Sequence, residues 1–122
     1  MGDFQELDVW KLAKELAVYI YKVTKTGSFN KDFGFRDQIR RAAISVSSNI
    51  GEGEESGSIK LSIRYLNIAK GSNAEVKSQA IVAHEIGFIN EDQKKSIVSK
   101  CENISKKLYF LIMYRKNKLN NK

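Results

Sequence analysis

The chain reads as an all-α protein, an antiparallel up-down-up-down four-helix bundle. Three observations predict this. None of the 122 residues is proline, which suits uninterrupted helices. Four segments repeat apolar residues at three- and four-residue steps, the helical period. The connections between them are short and carry glycine and serine, which favours antiparallel neighbours. The expected helices span about 8–25, 35–53, 58–86 and 91–116 of a single domain covering 1–122, with a basic tail over 115–122.

The first helix should begin at Asp8, an N-cap residue type. Val9, Ala13, Leu16, Ile20 and Val23 form its inner row, and Trp10, Ala17, Tyr21 and Thr24 an adjacent one. Thr26-Gly27-Ser28 ends it, and Phe29 and Phe33 in the following loop are expected to plug the bundle end. The second helix carries Phe35, Ile39, Ala42, Ala43, Val46 and Ile50 on one stripe and Arg36, Arg40, Ile44, Ser47 and Gly51 on another face. That second face mixes guanidinium groups with small side chains, which suits contact with something outside the subunit. Gly51 to Gly53 should stop the helix. Glu52, Glu54 and Glu55 crowd its C-terminus, where negative charge is unfavourable unless cations such as Lys60 or Arg64 stand opposite.

Ser58 can cap the third helix. Tyr65, Leu66, Ala69, Val76, Ala80 and Ala83 lie on its main apolar face, and Leu61, Ile68, Val82 and Ile86 lie nearly opposite. A helix apolar on two sides is buried on two sides, and in so small a domain this argues for self-association. Gly71 costs ~1 kcal/mol against alanine in mid-helix, with a close helix crossing as the simplest compensation. Asn73 on the main stripe needs a polar partner and can set register. Gly87-Phe88-Ile89-Asn90 is the last turn, and Asn90 with Gln93 makes a capping box. Ile97, Cys101, Ile104, Leu108, Leu111 and Ile112 form the inner row of the fourth helix.

Charge is segregated. The formal net charge is +7, yet residues 1–92 sum to −1 and residues 93–122 to +8. A concentrated basic segment suggests a polyanionic partner; a solvated helix face that keeps the chain soluble is an equally even reading. Tyr109, Phe110 and Tyr114 are interleaved with these cations and could stack on bases or pack on a neighbouring subunit. The single cysteine cannot form an internal disulfide and points to a reducing, cytoplasmic setting. The early acids Asp3, Glu6 and Asp8 argue against a signal peptide, and no window reaches the length of a membrane span. His84 is the only histidine, and its neighbour Glu85 points elsewhere on a helix, so no acid–base pair forms. Neither a metal cluster nor a phosphate-binding glycine pattern is present. No cofactor is expected.

The motifs are similar to a known family. Leu7-x-Val9-Trp10-x-x-Ala13-x-x-Leu16-x-x-x-Ile20-Tyr21-x-x-Thr24 resembles the first helix of the four-helix-bundle proteins encoded by intervening sequences in bacterial 23S ribosomal RNA genes. Phe33-Gly34-Phe35-x-x-Gln38-Ile39-Arg40-Arg41-Ala42-Ala43-Ile44-Ser45-Val46 with Ser48-Asn49-Ile50-x-Glu52-Gly53 resembles the second. Ile68-Ala69-x-Gly71-Ser72-x-Ala74-Glu75 and Ile86-Gly87-Phe88-Ile89 match later segments. The resemblance implies a left-handed bundle assembled into a homopentameric ring, a nucleic-acid-binding role and no enzymatic activity. Similar accessory proteins of diversity-generating retroelements bind a reverse transcriptase. The chain departs from the family where Ser47 replaces a common proline, Gly51 an alanine and Asn73 a leucine.

Two functions follow as expectations. The first is a non-enzymatic oligomer that binds RNA, or DNA, electrostatically, through Lys106, Lys107, Arg115, Lys116 and Lys118 with Arg36 and Arg40 secondary. Arg41, Ile44, Ser47, Gly51, Ile68 and Val82 are its expected subunit interface. The alternative is an oligomeric scaffold for a protein partner, such as a separately encoded enzyme.

Overall fold

The computed structural model describes Phe4 and residues 7–121. Asp3, Glu6 and Lys122, used in the reading of the termini, lie outside the described residues. The chain folds into α1 (Asp8–Val23), α2 (Gly27–Lys31), α3 (Phe33–Glu55), α4 (Ile59–Glu85) and α5 (Glu91–Asn120), with no strand among the described residues.

The four long helices pack in a cycle: α1 on α3, α3 on α4, α4 on α5 and α5 back on α1. Neighbours run in opposite directions. Late α1 meets early α3 where Arg40 reaches Thr24, and Ser45 faces Ser72 across α3 and α4. Early α4 meets late α5 where Arg115 reaches Ser62. The inner rows read from the sequence form one core. Leu16, Ile20, Ile39, Val46, Ile50, Leu66, Val76, Ile97, Ile104 and Leu108 are wholly buried in it.

The ends differ from expectation in instructive ways. Leu7, not Asp8, is the N-cap of α1; Asp8 is the first helical residue, where its charge favours the helix N-terminus. The loop after α1 contains a short helix, α2, entered through Gly27 at φ +66°. Phe29 on α2 is buried against Phe35 and Phe88, with ring centroids 5.0 and 5.4 Å away, and this trio closes one end of the bundle. Phe33 does not join it: the residue is 65% exposed. It opens α3, and its ring lies under the Arg36 guanidinium at 4.8 Å.

Gly51 and Gly53 do not stop α3, which continues to Glu55. Both glycines are buried in the helix. A Cβ at Gly53 would stand 3.3 Å from the Ser62 carbonyl oxygen, so glycine permits the close crossing of α3 and α4. The turn itself is made by Gly57 at φ +72°. Ser58 then caps α4 by accepting from the Leu61 N–H, as expected. Asn90 and Gln93 form the expected capping box of α5.

Asn73 finds a partner for its N–H, donating to the Cys101 carbonyl at 2.8 Å, while its buried Oδ1 accepts from nothing among the described residues. Gly71 has no close crossing within the subunit: it is exposed, and nothing stands within 4 Å of a Cβ added there. The basic segment 115–120, expected to lie mostly beyond the helix, is helical, because α5 runs on to Asn120 with Arg115 held against α4 and the C-terminal end of α3.

Candidate functional site

The expected cations fall into three environments. Arg36 and Arg40 belong to the α2 end of the bundle. Arg36 pairs with Asp37 at 2.9 Å and donates to the Asn30 carbonyl and side-chain oxygens, each at 3.2 Å. Arg40 donates to Thr24 Oγ1 at 2.8 Å and stands 4.5 Å over the Tyr21 ring. Both guanidinium groups therefore tie α3 to the segments before it.

Arg115 occupies a second environment. It is buried, with side-chain exposure of 9%, and it is ion-paired to Glu54, whose side chain is 4% exposed. It also donates to Ser62 Oγ. This corrects two expectations. Arg115 is not presented to an outside polyanion, since its guanidinium faces the junction of α3, α4 and α5. The carboxylate crowding at the end of α3 is answered for Glu54 by Arg115, not by Lys60 or Arg64.

Lys106, Lys107, Lys116 and Lys118 form the third environment and are all exposed. At helical spacing, Lys106, Tyr109, Met113 and Lys116 make one row on α5, and Lys107, Phe110, Tyr114 and Lys118 the next. Tyr109, Phe110 and Tyr114 are all exposed. Tyr109 and Phe110 meet edge to face at 5.4 Å, Lys118 lies 4.7 Å from the Tyr114 ring, and Lys70 of α4 lies 5.9 Å from that of Tyr109. The fold thus gathers these four lysines with the aromatics. It leaves Arg36 nearer the other end of the bundle, about 27 Å along the axis from the level of Arg115, since 18 helical residues separate it from Glu54 beside Arg115.

Of the expected interface residues, Arg41, Ile44, Ile68 and Val82 are exposed; Ile68 and Val82 are 44% and 49% accessible. Leu61, Ile81 and Ile86 on α4 are exposed too. Ser47 is half-buried and donates to the Ile44 carbonyl. Gly51 is corrected: it is buried inside the subunit, with the Phe4 ring 3.6–3.7 Å from where a Cβ would stand.

Phe4 and Gly51 belong to a feature that the sequence reading missed. A cleft of about 640 Å³ opens between α1, α3 and α4, lined by Trp10, Glu52, Glu55, Leu61 and Tyr65 among others. Glu52 and Glu55 are exposed, while Glu54 between them is buried. Helical neighbours point about 100° apart, so three carboxylates that look alike in sequence split between the core and the cleft.

The remaining chemistry-bearing groups are committed elsewhere. His84 Nε2 lies 2.9 Å from Glu91, which also pairs with Lys94 at 3.2 Å. The hydrogen bond from Lys94 holds the Glu91 carboxyl below its ordinary value. Burial pushes the Cys101 thiol up to about 12, so it stays protonated at neutral pH. No group of three or more potential metal ligands occurs among the described residues, and no described helix is long and apolar enough to cross a membrane.

The model of the family described as 23S rRNA-intervening sequence protein matches residues 5–110. The chain belongs to this family. Among solved structures, the chain is similar to a protein of unknown function from the S23 ribosomal protein family of Bacteroides thetaiotaomicron VPI-5482. The two are 30% identical and superpose with a TM-score of 0.78, over 85% of this chain and 97% of that one. No curated protein matches this member of the family.

Proposed function

We propose that this 23S rRNA-intervening sequence protein is a non-enzymatic, self-associating bundle that captures nucleic acid electrostatically, with structured RNA the favoured target. One observation carries the reading: the outer face of late α5 presents Lys106, Lys107, Lys116 and Lys118 around exposed Tyr109, Phe110 and Tyr114, and no acidic residue follows Glu102. Cations attract phosphates by releasing counterions, without reading sequence, and the aromatic rings can stack on unpaired bases. The family description, which ties these proteins to ribosomal RNA genes, supports RNA. A non-enzymatic role is supported by the engagement of His84 with Glu91 and the burial of Cys101.

Self-association is supported by the exposed apolar row on α4, with Ile68 and Val82 on it, and by exposed Ile44 on α3. A left-handed bundle closing into a homopentameric ring in the cytoplasm is the form we propose. It would multiply the α5 lysines into one large positive surface. Titrating RNA at rising salt tests the reading. Replacing the four lysines with serine should flatten the slope of log K against log salt by about 3 per bound subunit. Unchanged affinity and slope would refute it. A stoichiometric protein partner that survives nuclease treatment would instead assign the chain as a scaffold.

A further inference from the structure

We infer that the cleft between α1, α3 and α4 is a binding site for an organic cation, an ammonium or guanidinium group on an apolar stem. Its walls are aromatic and aliphatic: Trp10, Tyr65 and Leu61, with Phe4 edge-on to Trp10 at 5.2 Å. Its formal charges are two carboxylates one helical turn apart, Glu52 and Glu55. Neither has a cationic partner among the described residues.

The hydroxyls at the rim sharpen the preference. Ser47 and Ser56 spend their protons on carbonyl oxygens of their own helix, those of Ile44 and Gly53. Both therefore turn only lone pairs toward a ligand. Ser48, Tyr65 and Trp10 on the same lining can donate, but the cleft's formal charges are both negative and its rings are electron-rich, so a cation is favoured over an anion. Cations are attracted to such rings, to Trp most strongly. Trp10 already attracts one: Lys14 Nζ stands 5.6 Å from its ring centroid. The volume of about 640 Å³ is that of a small-molecule site, so the apolar stem is accommodated with the charged head. In a chain whose net charge is +7, two carboxylates left unpaired beside three rings are a local reversal of sign.

The cation can be a free small molecule or the tip of a lysine or arginine side chain on a peptide, and the same cleft chemistry recognises both. Trp10 is the only tryptophan of the chain, so its emission reports occupancy directly. The full chain would be titrated with n-hexylammonium, with agmatine and with a short alanine–lysine peptide, beside hexanol and hexanoate as neutral and anionic controls. A saturable change in Trp10 emission is expected from the cations and not from the controls. The double variant E52Q/E55Q, its fold checked by circular dichroism, should bind the cations about tenfold more weakly. A response to the small cations but not the peptide assigns a small-molecule site; the reverse assigns a peptide site. Absence of any saturable response, an equal response to hexanol, or unchanged binding by E52Q/E55Q would overturn the inference. The same variant leaves α5 intact, so its RNA affinity tests the nucleic-acid reading separately.

Discussion

Removing the Arg115 guanidinium should be among the most damaging single changes in this protein. Glu54 and Arg115 are 4% and 9% exposed at their side chains, so an Arg115→Met chain must bury a carboxylate with no cation beside it. Breaking one side of such a pair costs about 3–5 kcal/mol. With a urea dependence of about 1.5 kcal/mol per molar for a domain of this size, the unfolding midpoint should fall by about 2–3 M. Glu54→Leu alone should also be harmful, since it removes the carboxylate paired with the buried guanidinium. The double variant should recover most of the loss, because neither charge is then desolvated. The cycle should give a coupling of at least about 4 kcal/mol, since two losses of about 3–5 kcal/mol collapse to a double-variant loss under about 2 kcal/mol; it is read by circular dichroism at one fixed protein concentration, so that the proposed self-association does not shift the midpoint between variants. A loss under about 1 kcal/mol for Arg115→Met, or additive single effects, would refute the buried-pair argument.

Four further outcomes are expected. Gly71→Ala should stabilise the isolated subunit by about 1 kcal/mol, as measured by denaturant unfolding, because an exposed helical glycine gains propensity and the new Cβ meets nothing within 4 Å. Gly53→Ala should destabilise it by about 1 kcal/mol in the same assay despite that propensity gain, since its Cβ would press on the Ser62 carbonyl at 3.3 Å. Glu91, held below its ordinary 4.5 chiefly by the Lys94 hydrogen bond, contributes stability above the unfolded-state value that is lost as pH falls through the lower folded value; Glu91→Gln should flatten the acid limb of a thermal melting profile. Cys101, buried with its thiol pushed up to about 12, should resist a thiol reagent in the native state and react only as fast as the chain opens, a rate seen by stopped labelling.

The core was legible because burial writes a helical period into composition. Every residue assigned to the second-helix stripe is buried or half-buried, and the caps at Ser58 and Asn90 sit where hydroxyl and amide types announced them. The two glycines of α3 were misread because glycine has two uses. It ends helices through positive φ, and it admits a neighbouring backbone, as Gly53 does for α4. Composition alone does not separate them. Arg115 was misread because it sits in a run of lysines. Its spacing carried the missed signal: it continues the row Ile97, Cys101, Ile104, Leu108 and Ile112 at three- and four-residue steps, and Glu54 likewise follows Val46 and Ile50 at steps of four.

By itself the sequence determined which residues face inward, where four long helices lie and which segment holds the positive charge, because these depend on periodicity along one helix. Only the tertiary structure decided which charges meet. It placed Arg115 on Glu54, set Arg36 and Arg40 toward the α2 end of the bundle, away from Lys116 and Lys118, and shaped a cleft from Trp10, Glu52, Glu55 and Tyr65. Those outcomes depend on the antiparallel register between helices, which brings together residues distant in the chain and which no single helix's pattern contains.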